Sequence, residues 1–354
     1  MEKEIVFFDE AGTPFNGATI ENTPLGGCET AILRVAEGLA AKGFTVTVYN
    51  NCLEEGMFNK VEYKNRKRFE SEAKNGFGMF VSQRGLSVFQ SKFSAEKKFL
   101  WLQDNPKGEL YSAELKLHLR KVLPEIDYFF VVSKFQKNAL VEGFPFAGKK
   151  GFFLTRNGVD EKIVSELKAK EKNPGKFVYS TTPFRGLAVL LKLWPEIKRR
   201  IAEAELHIFG GRKVYQMSEG KWQRLYDKAG GMEAVFVHGA LPQKELLSEL
   251  SDASLYLYPN TFEETSCISA MESISLGVPI ITSRRGALPE TVRKGCGVLI
   301  EGDPLKNDYQ QKFVEETVGV SENRKKWKEM NQECLKQDFS WKTVVKEWVE
   351  FLEK

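Results

Sequence analysis

Glu264 and Glu272 stand eight residues apart in the stretch Phe262–Ile280, FEETSCISAMESISLGVPI. Ile268 and Leu276 lie four residues to either side of Glu272, so in a helix the three share one face. A carboxylate inside an apolar stripe costs free energy unless something binds it. The spacing predicts a helix that begins at Ser266 or Cys267 and stops at Gly277, with Thr265 or Ser266 as its N-cap. The first-turn amides of such a helix have no partner within it and form an anion site without any basic side chain. A nucleoside diphosphate sugar suits this arrangement. Its diphosphate would sit at the helix terminus, with one carboxylate on ribose hydroxyls and the other on sugar hydroxyls. From the spacing alone, an acidic loop followed by a glutamate paired to a structural arginine fits equally well.

The elements that must position these residues are short apolar runs alternating with amphipathic helices. Ile5–Phe8 reads as a strand, Thr30–Lys42 as a helix stopped by Gly43, and Phe44–Tyr49 as the next strand. That is a strand–helix–strand unit with parallel strands. Gly78–Ser82, Phe99–Leu102 and Tyr128–Val132 extend the sheet. The pattern breaks around Thr155–Asp160, and the following 161–175 are charged and end in Pro-Gly. A second series then reads as strands at Phe177–Ser180, Glu205–Phe209, Ala234–Val237, Ser254–Tyr258, Pro279–Thr282 and Gly297–Ile300, with helices that include Leu187–Arg199 and Gln243–Leu250. The expected fold is α/β: two Rossmann-like, doubly wound parallel-sheet domains, 1–160 and 161–339, hinged near 160. Ligands would lie at the carboxyl ends of the strands, in a cleft between domains. Asn51–Gly76 reads as a loop on the acceptor side.

At 354 residues two domains are the natural expectation. The net charge of +4 is small and evenly spread, which argues against nucleic acid. Basic clusters at 64–68 and 323–328 suit solvated helix faces and leave room for at most a weak membrane-surface contact. The five cysteines are odd in number and lack C-x-x-C spacing, so neither a disulfide framework nor a zinc site is expected. The start of the chain runs into a strand-like segment, which predicts no leader peptide. No apolar run approaches the roughly 18 residues of a membrane span. The expected compartment is the reduced cytoplasm, with peripheral contact at the inner membrane face as the alternative.

Glu264-x7-Glu272 followed by Gly277 and Pro279 resembles the E-x7-E signature of retaining glycosyltransferases of family 4, which have the GT-B fold. Glu263 is also acidic, but Gly277 and Pro279 set the register on Glu264. Other segments resemble the same family in the same order: Gly26-Gly27-Cys28-Glu29 its G-G-x-E loop, Asn157–Asp160 its N-G-V-D hinge, Arg185-Gly186 its Lys-Gly, and Ala287–Glu290 the segment after its next strand. The resemblance implies that Glu272 binds the donor ribose and that Glu264 holds donor-sugar hydroxyls near the anomeric carbon. It implies that the amides of Thr265, Ser266, Cys267 and Ile268 line the diphosphate. Arg185 would pair with the phosphates, and the side-chain-free Gly27, after Gly26, would approach them from the other domain. It implies a final helix, 340–354, that crosses back to the first domain, and a metal-independent reaction with no cofactor beyond the UDP- or GDP-sugar donor. The chain has no D-x-D pair for a divalent ion. The implied acceptor is a glycan, lipid-linked or protein hydroxyl.

Two departures from the pattern matter. Ser180 stands where the family commonly has an arginine, and Lys213 or Arg212 would have to replace that charge. In the first domain Asp104, in Gln103-Asp-Asn-Pro106, takes the place of a catalytic His or Asp, although Asp-Asn-Pro also simply makes a turn. His118 is expected at the surface and His207 in the core. His238-Gly239 ends a strand, near the nucleotide base or merely packed. The competing readings are a nucleotide-sugar epimerase of this fold, a phosphorylase, and a non-catalytic nucleotide-sugar-binding protein. A phosphorylase needs a pyridoxal lysine and a longer chain. Epimerases lack the G-G-x-E and E-x7-E combination. Ser180 keeps the third reading open.

Overall fold

The computed structural model describes residues 3–354 and divides into two compact units. The first takes the chain up to Asn22, then Gly26–Gly158 and Trp341–Lys354. The second takes Val159–Ser340 with Thr23–Leu25.

The first unit is built on an eight-stranded sheet of β1 (Glu4–Asp9), β2 (Thr45–Asn50), β3 (Gly56–Phe58), β4 (Val61–Asn65), β5 (Phe77–Gln83), β6 (Ala95–Trp101), β7 (Tyr128–Val131) and β8 (Gly151–Leu154). The order is β3-β4-β2-β1-β5-β6-β7-β8, parallel throughout except for β3 against β4. Asn51–Gly76 is therefore not a plain loop: it carries the β3–β4 pair and short helical turns. β4 alternates Val-Glu-Tyr-Lys, with Val61 and Tyr63 buried, which is the period-2 pattern of a half-covered strand. The strand order reverses between β1 and β5, which stay paired in register to their carboxyl ends at Asp9 and Gln83.

Helix Gly27–Ala41 covers one face, and the last helix, Trp341–Leu352, packs on it. A Cβ on Gly38 would come within 2.2 Å of Val345, so the glycine permits the close approach. Trp348 is fully buried among Phe7, Trp101, Phe130 and Phe153, and its indole N–H donates to Thr155 Oγ1 at 2.9 Å.

The second unit has a six-stranded, all-parallel sheet of β9 (Lys176–Ser180), β10 (Glu205–Phe209), β11 (Val235–Gly239), β12 (Leu255–Tyr258), β13 (Ile280–Ser283) and β14 (Gly297–Ile300), in the order β11-β10-β9-β12-β13-β14. Both faces are covered, so β12 and β13 are buried along their whole length, as parallel strands under helices are. The order reverses between β9 and β12, and a doubly wound sheet takes its ligands at such a point.

Trp348→Ala removes the centre of this aromatic cluster. It is expected to cost about 3–5 kcal/mol, by lost burial and a residual cavity. A denaturant titration followed by tryptophan fluorescence and circular dichroism checks this, and an unchanged midpoint would contradict the packing.

Candidate functional site

Arg185 and Glu264 meet at the second unit's switch point. The loop after β9 carries Arg185 and the loop after β12 carries Glu264. Arg185 Nη1 donates to both carboxylate oxygens, at 2.8 and 3.0 Å. Tyr258 donates its hydroxyl to Oε1 at 2.5 Å. Glu264 is only 3% exposed. Burial works against the Arg185 charge, but Glu264 beside it more than offsets this and keeps the guanidinium protonated. The guanidinium also lies 4.6 Å from the Phe262 ring centre and 5.6 Å from that of Phe184.

Two glycines let the loops close on this pair. Gly186 has φ +125°, and a Cβ there would strike the Pro259 carbonyl oxygen at 2.2 Å. Thr261 N–H can then reach Arg185 O at 3.2 Å. Gly286 has φ +58°, and a Cβ there would lie 2.4 Å from Glu264 O. Ala287 N–H donates to that same oxygen at 2.7 Å. The loop after β13 thus clamps the Glu264 backbone, a role that the spacing of the glutamates does not reveal.

That clamp moves the helix start. The helix is Ile268–Ser275, with Cys267 as N-cap, rather than a helix capped by Thr265 or Ser266. Residues 264–266 are held in the loop, and the first intrahelical bond runs from Met271 N–H to Cys267 O. Cys267 makes no capping bond with its side chain, and burial pushes its thiol well up. Thr265, Ser266 and Ile268 are partly exposed around the helix start, where the amides of Ile268 and Ser269 have no acceptor within the helix.

Glu272 faces inward from this helix and is 5% exposed. Among the described residues its carboxylate accepts one hydrogen bond, from Gln243 Nε2 at 3.3 Å. Burial with so little compensation pushes its carboxyl up to about 7. Of the two glutamates, Glu264 is the paired one and Glu272 the under-partnered one.

The other sequence candidates in this unit are not drawn into the pair. Ser180 is buried at the end of β9, in register with Phe209. Lys213 is exposed in the Arg212–Tyr215 turn, and among the described residues no contact joins it to Arg185 or Glu264. His238 is exposed on edge strand β11, stacked on Phe209 and His207, with His207 Nδ1 and His238 Nε2 3.0 Å apart. His207 is thus not a core residue: it is partly exposed on β10, next to the edge strand β11. Gly239 adopts φ +76° where β11 ends, and its carbonyl accepts from Gly210 N–H at 2.8 Å.

In the first unit Gly26 is the N-cap of helix Gly27–Ala41, and Gly27, its first residue, is exposed. Glu29 of the same motif is buried and accepts from Thr13 N–H at 3.2 Å. Arg84, at φ +64°, places Nη2 3.2 Å from Asp9 Oδ1 and 3.7 Å from Glu29 Oε1. Burial pushes both carboxyls up against the pull of Arg84. Sequence reasoning missed Asp9 and Arg84, which join only because β1 and β5 are neighbours. Asp104 is exposed after β6, and its charge is felt by Arg84 and Cys28. Its carbonyl accepts from Gln136 Nε2 at 2.9 Å, and Asn105 turns the chain by accepting from Lys107 N–H. Among the described residues no group of three His, Cys, Asp or Glu is placed to hold a metal ion.

The raised Glu272 pKa has a stability signature. From about pH 4.5 to 7 the folded state keeps a proton that the unfolded chain releases. The penalty is absent below that window and complete above it. Glu272→Gln is therefore expected to stabilise the ligand-free protein at pH 8 by on the order of 2–3 kcal/mol and to do little at pH 4.5. Thermal unfolding of both proteins across this range checks it. A difference independent of pH would show that Glu272 is not the titrating group.

Residues 159–333 match the family model described as glycosyl transferases group 1. The chain is 28% identical over 127 residues to a GDP-mannose-dependent alpha-(1-6)-phosphatidylinositol monomannoside mannosyltransferase of Mycolicibacterium smegmatis, which covers 34% of this chain and 32% of that protein. It is 22% identical over 331 residues to the MMP alpha-(1->4)-mannosyltransferase of Mycolicibacterium hassiacum, covering 92% of this chain and 75% of that protein. The match thus spans about a third of the first relative's length and three quarters of the second's. In fold it is similar to Anabaena HepE, solved with UDP-glucose, with a TM-score of 0.72, 13% identity and 99% of each chain covered. The chain thus has the GT-B fold, and residues 159–333 are a glycosyl transferases group 1 segment.

Proposed function

We propose that this chain transfers a sugar from a UDP- or GDP-sugar, with retention of anomeric configuration and without a metal ion, to a hydroxyl of a glycan, lipid-linked or protein acceptor. The observation that carries the reading is Glu272: a buried carboxylate with one 3.3 Å hydrogen bond, on the helix whose first turn follows the Arg185–Glu264 pair. A ribose diol supplies the two hydroxyl donors that such a carboxylate lacks. The relative named for GDP-mannose and the neighbour solved with UDP-glucose support a nucleoside diphosphate sugar and leave the base open.

In this reading the diphosphate lies against the amides that open the Ile268–Ser275 helix and against Arg185. The guanidinium is held protonated by Glu264 beside it, so its charge is in place when the phosphates arrive. Glu264 then faces the sugar. The acceptor oxygen forms the new bond to the anomeric carbon as the carbon–oxygen bond to the diphosphate breaks. The acceptor proton passes to a phosphate oxygen of the departing group, and the nucleoside diphosphate is released. Asp104 is the candidate for stabilising positive charge at the anomeric carbon, and Gly27 for an amide to the phosphate. His238, Gly239 and Lys213 rank lower, since none touches the pair. The proposal includes a cytoplasmic location with at most peripheral membrane contact. No helix among the described residues is long and apolar enough to cross a membrane.

Glu272→Ala is expected to weaken binding of the nucleoside diphosphate itself by about 10- to 100-fold, the scale of a charge-assisted hydrogen bond. Glu264→Ala is expected to lower turnover on the order of a hundredfold while nucleotide binding survives. Calorimetry with UDP and GDP, beside turnover of the matching donor, separates the two. Unchanged affinity in Glu272→Ala would remove the ribose assignment. Affinity for UDP or GDP should rise as pH passes upward through about 7, where Glu272 ionises. Turnover should also persist in EDTA, and a strict metal requirement would count against the phosphate chemistry.

A further inference from the structure

β12 ends in Leu255-Tyr-Leu-Tyr258, and alternate residues of a strand share a face. Tyr256 and Tyr258 stack at 5.6 Å with their rings 13° apart, and both are completely buried. Each hydroxyl is committed to a different end of the carboxylate-bearing segment. Tyr258 donates to Glu264 Oε1, and Tyr256 donates to Ser269 Oγ at 3.1 Å, in the first turn of the Ile268–Ser275 helix. A third tyrosine, Tyr179 of β9, stands edge-on to Tyr258 at 6.0 Å and donates to Thr182 O at 2.9 Å, three residues before Arg185. Aliphatic side chains would fill a parallel strand's core without any such bonds. A buried phenol usually needs an acceptor, and these three find theirs in the loops and helix start of the site.

We propose that Tyr258 is the positioning residue that keeps Glu264 in place when the donor diphosphate draws Arg185 away, and that Tyr256 does the same for the helix start. This rests on the reading above that Glu264 faces the donor sugar. Arg185 has two claims on it. Without donor it is bound to Glu264 through one nitrogen, and with donor it must also face phosphate oxygens. A buried carboxylate that loses its cation needs another donor or it shifts. Tyr258 is that donor, neutral and rigidly stacked, and no phosphate can compete for it within the core. Glu264 therefore keeps its orientation through the change of Arg185's partner.

The test uses Tyr258→Phe and Glu264→Gln, singly and together, with UDP-glucose, UDP-N-acetylglucosamine and GDP-mannose as donors and release of the nucleoside diphosphate as readout. Tyr258→Phe is expected to lower kcat about tenfold, the loss of one hydrogen bond to a charged group, with KM and nucleotide affinity nearly unchanged. In the Glu264→Gln background the same substitution should change kcat by less than about twofold, since the bond it removes no longer positions a carboxylate. A merely structural role predicts an equal loss in both backgrounds, and that result would overturn the proposal. Tyr256→Phe leaves the Glu264 bond intact and should weaken UDP or GDP affinity more than kcat, and a kcat-only effect would overturn its assignment. Wild-type turnover with Tyr258→Phe unaffected removes this inference alone. A wild-type chain that turns over none of the donors removes the functional reading along with it.

Discussion

The second unit's site is organised by one ion pair. Arg185, half-buried, and Glu264, buried, come from loops 79 residues apart and meet at the switch point. Around that pair the chain makes an unusual set of concessions. Gly186 and Gly286 adopt left-handed conformations so that the backbones can close in. Strand β12 carries tyrosines where aliphatics would pack as well. The loop after β13 is tied back to the Glu264 carbonyl. A buried salt bridge is weak evidence for stability, since well-packed apolar residues often do better. Concentrating these features at the switch point of a doubly wound sheet is more economically explained by a ligand than by folding.

The two glutamates illustrate how environment divides like side chains into different roles. Glu264 has a guanidinium and a phenol that hold it in place. Glu272, eight residues on, has burial and one amide, and its carboxyl rises to about 7. A raised pKa of this kind is a cost to the empty protein that a ligand with hydroxyl donors relieves. The cation assignment is lopsided in the other direction. Ser180 supplies no charge, and Lys213 stays out of the pair, so Arg185 and the helix amides carry the proposed phosphate site.

Much of this was legible in the residue order. The alternation of short apolar runs and amphipathic helices marks two doubly wound sheets, because covered parallel strands leave that trace. Glu264 and Glu272 stand out by their spacing, and Arg185 by the resemblance of Arg185-Gly186 to the family's Lys-Gly. What was not legible came from strand adjacency and backbone conformation. Tyr258 reads as an ordinary core residue until β12 is seen to deliver its hydroxyl to Glu264. Gln243 is one of many polar helix residues until it is placed against Glu272. Asp9 and Arg84 are 75 residues apart and meet only through β1 and β5. His207 misread as core because its strand is buried at one end and lies next to the sheet's edge strand. The helix starts later than its side-chain chemistry suggests: Ala287 N–H holds the Glu264 carbonyl in the loop, and Cys267 is the N-cap.

The first unit poses the complementary problem. Asp9 and Glu29 share a single guanidinium, so this buried cluster carries more acid than base. Burial pushes both carboxyls up, against the pull of the one cation between them. Arg84 holds a left-handed backbone to reach them, and Gly12 must be glycine because a Cβ would lie 1.8 Å from Asp9 Oδ2. Strain and side-chain-free backbone gather here at the carboxyl ends of β1 and β5, as they gather at the ends of β9 and β12 in the other unit. The two units therefore apply the same rule to opposite balances of charge. One ends its switch point in a paired cation with an under-partnered acid nearby, and the other in a cation outnumbered by the acids it binds.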